Sequence, residues 1–244
     1  MLKAAIEKIQ DMSYKPQRFE IDGHHYITDQ SGSVTEIKPD LEMRESINLT
    51  SLDALVKLIK TEAAKNYSLI YVTVASHTTV KCFTSPAESL RWNREYLYTA
   101  LATDVPGWND KVTMNFEEAL IALRTRFQPA TDTEYALRLL SNITTGGKVT
   151  YNDNGVATSI ITKKGIDLQS NESIKPIIRL RPYRTFQEVD QPESEFLIRI
   201  NERGITFIEA DGGMWKLNAR SKVKAYLENA LSEETDAGKV VICL

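Results

Sequence analysis

Glu195-Phe-Leu-Ile-Arg-Ile200, Asn201-Glu-Arg-Gly204 and Ile205-Thr-Phe-Ile-Glu209 decide how this chain folds. Apolar and polar side chains alternate on both sides of a short polar link that ends in glycine, as in two antiparallel strands joined by a tight turn. The same pattern recurs outward from there. Asp22-Gly23 separates Arg18-Phe-Glu-Ile21 from His24-His-Tyr-Ile-Thr28, and Asn154-Gly155 separates Lys148-Val-Thr-Tyr151 from Val156-Ala-Thr-Ser-Ile-Ile-Thr162. Asp-Gly and Asn-Gly accept the positive φ angles that such turns require, so each pair of runs predicts a hairpin. Tyr67-Ser-Leu-Ile-Tyr-Val-Thr-Val-Ala75 and Thr78-Thr-Val-Lys-Cys-Phe83 add β-branched and aromatic strands.

Helical signals gather in the middle of the chain. Thr50 or Ser51 caps a segment in which Leu52, Leu55, Val56 and Ile59 form one apolar stripe. Ser85-Pro-Ala-Glu88 reads as a capping box opening a helix over residues 89–102. Asn115-Phe-Glu-Glu118 opens another that Pro129 ends, and Thr131 or Asp132 opens a fourth that stops near Gly146-Gly147. A final helix is expected over 222–231, with a strand from Lys239 to Cys243 after it. Strands, then helices, then strands again imply α+β, with antiparallel hairpin-rich sheets and a helical middle segment. A soft boundary at Gly146-Gly147 sets an N-terminal half, 1–146, against a β-rich half, 147–244, within what also reads as one continuous domain.

The chain has 244 residues, enough to bury a substantial core without staples, and its net charge of −3 argues against wholesale polyanion binding. Lys3, Glu7 and Lys8 interrupt the first apolar run, so it reads as a short amphipathic helix and not as a signal peptide. With no run of apolar residues long enough for a membrane span and two cysteines, the expectation is a reduced, cytoplasmic protein without membrane partners.

Catalytic constellations are hard to build from these residues. His24 and His25 are neighbours on a strand, so they leave opposite faces and cannot share a metal. His77 and Cys82 lack an orienting partner at a diagnostic spacing. Gly146-Gly147-Lys148 and Gly212-Gly213 lack the spacing of phosphate loops, so no cofactor fingerprint is present. Glu209, Asp211 and Lys216 could be arranged as a metal-dependent hydrolytic site, but Asp211, Gly212, Gly213 and Trp215 read better as a structural turn. No metal ligand set is assigned.

The strongest binding candidate is Ile178-Arg-Leu-Arg-Pro-Tyr-Arg-Thr-Phe186. Arg179 and Arg181 fall on one strand face, and Tyr183, Arg184 and Phe186 follow. Arginines beside rings suit phosphates and stacked bases, and equally suit salt bridges to the acids just downstream. Arg91, Trp92 and Arg94 offer a second basic and aromatic segment, and Arg124 and Arg126 a third.

Arg181-Pro-Tyr-Arg-Thr-Phe186, Glu209-Ala-Asp-Gly-Gly213, Ser76-His-Thr78 and Leu137-Arg-Leu-Leu-Ser-Asn-Ile143 together resemble the YfdQ-like proteins of bacteriophages and prophages. The resemblance implies a phage or prophage gene expressed in a bacterial host; it carries over no catalytic residue. The function expected is that of a non-enzymatic accessory protein acting by self-assembly, as a homo-oligomer, or by binding a host protein. A nucleic-acid-binding protein of phage replication or recombination is the alternative, and a hydrolase with an unfamiliar site is a further one.

Overall fold

A computed structural model describes residues 2–12, 17–29, 31–38, 45–65, 69–87, 92–108, 111–145, 149–153, 158–164, 168–173, 175–201 and 203–244. Side chains are described for these except 10–12, 142, 144–145, 149–153, 158–164, 168–173 and 201. The chain divides into two compact units, Met1–Met43 and Arg44–Leu244.

The first unit holds α1 (Leu2–Met12), β1 (Arg18–Ile21), β2 (His24–Thr28) and β3 (Val34–Ile37). The strands form an antiparallel meander in the order β1-β2-β3. Asp22 at φ +51° and Gly23 at φ +79° make the positive-φ turn that Asp-Gly predicts. None of the unit's described side chains is buried.

The second unit begins with β4 (Ile47–Leu49), α2 (Leu52–Ala64), β5 (Ile70–Ser76), β6 (Thr79–Thr84) and β7 (Tyr96–Leu101). Next come β8 (Thr113–Met114), α3 (Phe116–Thr125), β9 (Phe127–Gln128) and α4 (Thr133–Thr145). A three-stranded antiparallel sheet follows, made of β10 (Val149–Asp153), β11 (Thr158–Lys164) and β12 (Leu168–Ser173). The Asn154-Gly155 turn expected between the first two of these strands lies outside the described residues. The chain ends with β13 (Ile177–Pro182), β14 (Ser194–Asn201), β15 (Gly204–Glu209), α5 (Met214–Ala230), α6 (Ser232–Asp236) and β16 (Val240–Cys243).

Two five-stranded sheets organise this unit. One runs β16-β5-β6-β7-β4, with an antiparallel centre and parallel edges. The other runs β8-β15-β14-β13-β9 and is antiparallel throughout. The fold is α+β, and among the described residues no helix is long and apolar enough to cross a membrane.

Each sheet has its own core. Leu52, Leu55 and Ile59 on α2 and Val223 and Leu227 on α5 pack over Ile70, Val72, Val80 and Cys82 of the first sheet. Ala119 and Leu123 on α3 and Leu139, Leu140 and Ile143 on α4 pack over Ile178, Leu180, Phe196 and Phe207 of the second. Burying one such side chain contributes about 1.5–3 kcal/mol. Both cores draw residues from either side of 146/147, so that position does not divide them.

The helix expected over 89–102 does not form. Tyr96–Leu101 is strand β7, paired with Cys82, Lys81 and Thr79 of β6, and residues 88–91 lie outside the described set. Tyr96-Leu-Tyr-Thr99 is aromatic and β-branched, and a free edge of β6 offers it a ladder, so tertiary pairing overrides a local capping signal. The last long helix also starts earlier than its apolar stripe suggests. It begins at Met214, with Gly213 at φ +83° as its cap.

Candidate functional site

The segment from Tyr183 to Glu193 straps the two cores together. Phe186, 1% exposed, and Val189 enter the first core, whereas Leu180 before them and Phe196 after them belong to the second. Buried Gln191 holds the strap's shape. Its Oε1 accepts from the backbone N–H groups of Arg184 at 2.9 Å and Thr185 at 3.1 Å, and its Nε2 donates to the Phe186 carbonyl at 3.0 Å. The Thr185 hydroxyl donates to the His77 carbonyl in the turn between β5 and β6. A buried connection that satisfies its own polar groups in this way is a rigid one.

Arg184 is the hub of the strap. It is 6% exposed, donates to Glu209 and to the Ser194 hydroxyl, and lies over the Trp215 ring, 3.8 Å from its centroid. Trp215 returns its Nε1–H to Glu209 at 3.0 Å. Ser194 donates to Asp211 at 2.8 Å, and Asp211 accepts from the backbone N–H groups of Gly213 at 3.0 Å and Trp215 at 3.3 Å. Asp211 thus closes the Gly212-Gly213 turn and neutralises the start of α5. Three segments distant in sequence, at His77, Arg184 and Glu209–Trp215, converge here, and the His77 ring stands edge-on to Trp215 at 4.7 Å. Glu209 and Asp211 are fully engaged by these partners.

The other arginines of the segment are also paired. Arg179 reaches Glu195 at 3.2 Å and Arg181 reaches Glu193 at 3.3 Å. The Tyr183 N–H donates to the Arg126 carbonyl at 2.9 Å, which places Arg126 beside the strap. Asp132 accepts from the Arg179 backbone at 2.9 Å and from Lys175 at 3.0 Å. Burial works against its charge, but these donors and the Lys175 and Arg179 charges hold its carboxyl below the ordinary range. Ile178, Leu180 and Pro182 point inward between the arginines, as the alternation predicts.

His77 and Cys82 do not meet in a nucleophilic arrangement. Cys82 points into the helix-covered core, where burial and then the Glu62 charge push its thiol up to about 12. Burial, followed by the Lys216 and Arg184 charges, lowers the His77 pKa. His24 contacts Glu36 at 2.7 Å, while His25 faces Glu20 at 3.8 Å. Among the described residues no group of three or more His, Cys, Asp or Glu side chains is placed to hold a metal ion.

Arg94 and Trp92 belong to a different surface, and Arg91 lies outside the described residues. The Arg94 guanidinium sits 5.0 Å from the Tyr71 ring centroid and 5.3 Å from that of Phe83. Trp92 is 71% exposed and held at φ +62°. Tyr71 and Phe83 stack at 5.7 Å and 16°, and Phe83 and Tyr96 stand 5.7 Å apart. This row of rings escapes a sequence reading that makes 89–102 helical. The alternation of Ile70, Val72 and Val74 with Tyr71 and Thr73 was the available signal for it. No family model, no curated protein and no solved structure matches this chain.

Proposed function

We propose that this is a phage- or prophage-encoded accessory protein that acts by assembling with copies of itself and catalyses no reaction. The observation that carries this reading lies in Met1–Met43. On α1, Leu2 is 79% exposed, Ile6 48% and Ile9 67%, and the three fall within about 60° of one another at 3.6 residues per turn. Ile21, Val34 and Ile37 on the strands of the same unit are exposed as well. Chains near 40 residues ordinarily need disulfides, metals or oligomerisation to be stable. A lone helix of this length is marginal in water too.

A second copy is the occupant that fits. Lys3, Glu7 and Lys8 give α1 both signs of charge, so like surfaces are not repelled, and a two-fold pair covers the same stripe on both partners. Against a hydrolytic role stand the buried, high-pKa thiol of Cys82 and the engagement of Glu209 and Asp211 by Arg184, Ser194 and Trp215. Phage origin and a place in the host cytoplasm rest on the resemblance of the arginine and Gly-Gly segments to YfdQ-like proteins.

Light scattering on the full chain tests the assembly. The expected particle mass is a multiple of 27.6 kDa, falling to one chain when Ile6→Glu and Ile9→Glu are combined. A single-chain mass for the unaltered protein at every concentration sinks the proposal.

A further inference from the structure

Among the described residues of the second unit, helices α2 and α5 pack on one face of the sheet β16-β5-β6-β7-β4. On its other face the strand register aligns two rows. Val241 pairs with Tyr71, Tyr71 with Phe83 and Phe83 with Tyr96, an apolar row across four strands. Cys243 pairs with Thr73, Thr73 with Lys81, Lys81 with Thr99 and Thr99 with Asn48, a polar row beside it. Same-face neighbours along a strand are two residues, or about 6.6 Å, apart. The Tyr71 and Phe83 rings are half-buried against each other, Tyr96 is 50% exposed, and Lys81 is exposed.

Charge selects the occupant. Among the described residues, the outward positions of these strands carry Lys81 and no carboxylate, and the Arg94 guanidinium lies over the Tyr71 and Phe83 rings. Glu95 is the neighbouring acid in sequence, and its backbone N–H donates to Thr84 at 3.1 Å. Rings and a guanidinium plane offer stacking surfaces, while the second row offers an ammonium and hydroxyl donors at one fixed offset. That is the chemistry of a strand whose bases are unpaired and whose phosphates run along one side.

We propose that this face binds single-stranded nucleic acid, with bases stacked along Tyr71, Phe83, Tyr96 and Arg94 and phosphates beside Thr73, Lys81 and Thr99. Trp92, two residues before Arg94 in sequence, is exposed as well. The arginine strap takes no part, because its guanidinium groups are held by Glu193, Glu195 and Glu209.

The test is fluorescence anisotropy of a labelled thymidine oligonucleotide and of a blunt duplex with the full-length protein. The single strand binds more tightly than the duplex. Lys81 is the one cation placed at the phosphates, which gives a slope near −0.7, so affinity falls only about two- to threefold between roughly 50 mM and 200 mM salt. Tyr96→Ala and Arg94→Ala each weaken binding on the order of ten- to a hundredfold, whereas Tyr96→Phe retains it. Lys81→Gln, at an exposed position, flattens the salt dependence without touching the core. The proposal is overturned by no retention of single strands at the lower salt, by a preference for duplex, or by equal binding in the Tyr96→Ala and Arg94→Ala variants. A change of particle mass in Tyr96→Ala without any strand binding also overturns it, because the face then packs against another copy.

Discussion

The Arg184 guanidinium lies over the Trp215 indole at 3.8 Å while both side chains hold Glu209, one at each carboxylate oxygen. The charge is therefore desolvated on its flat faces and neutralised at its edge. A cation over an indole contributes about 2 kcal/mol when water is excluded. Removing one partner of a buried ion pair costs more, because the other charge is stranded. Arg184→Ala is expected to lower unfolding free energy by about 3 kcal/mol, the lower end of that range, since Glu209 keeps some access to water. Arg184→Lys loses the flat contact and one hydrogen bond and costs about 1–2 kcal/mol. Urea titrations of the two variants and of Trp215→Phe check this. A double-mutant cycle that shows no coupling between positions 184 and 215 would remove the physical basis of the hub.

Gly204 sets the register of the second sheet. It sits at φ +137°, and a Cβ there would fall 1.9 Å from the Met114 carbonyl oxygen. Gly204→Ala therefore cannot be absorbed by a side-chain rotation; β8 must leave β15 or the hairpin must reshape. The expected loss is at least about 2 kcal/mol, the sum of a backbone conformation unsuited to alanine and a broken edge pairing. Amide exchange should accelerate at Thr206 and Thr113, which face each other across that pair. Unchanged protection there would mean that the strand edge tolerates the methyl group.

How far these features could be read from sequence follows from their range. The β14–β15 hairpin was legible because its alternation and its Gly204 turn are local. So was the inward placement of Ile178 and Leu180 between Arg179 and Arg181, with acids near enough to pair with both. β7 was illegible because its decisive partner, β6, lies beyond a capping-box sequence that points to a helix. The convergence of His77, Arg184 and Trp215 left no local trace: each residue reads as an ordinary turn or strand-end position until both cores are assembled. Gly212-Gly213 was legible as a turn, but the helix that starts one residue later has too mixed an outer face to show its first two turns.

His77 supplies a pH dependence whose sign is fixed by its surroundings. Burial, then the charges of Lys216 and Arg184, depress its pKa below the ordinary 6.5. A depressed folded-state value means that the unfolded chain takes the proton first as pH falls. This contribution to stability is intact above about pH 6.5 and is lost as pH drops from there through the folded-state value. His77→Gln should flatten this part of the stability profile. Lys216→Gln should raise the His77 pKa in an NMR titration of its ring protons. A midpoint at or above 6.5 in the native protein contradicts the burial of the ring beside Lys216 and Arg184.

The two cysteines should separate cleanly by reactivity. Cys243 is exposed on β16, whereas Cys82 lies in the first core with a thiol pushed up to about 12. The thiolate is the reacting species, so Cys82 is protected by protonation as well as by packing. A chromogenic disulfide reagent at neutral pH is expected to titrate one thiol in the native protein and two after denaturation. Cys243→Ser should abolish the native signal and leave the unfolding curve unmoved. Cys82→Ser should leave the native signal intact but cost about 1–3 kcal/mol, because a hydroxyl there enters an apolar site between α2 and the sheet. Rapid labelling of Cys82 in the native state would require β6 to open from β5 and β7. Its rate relative to global unfolding then measures whether the first sheet breathes independently of the second.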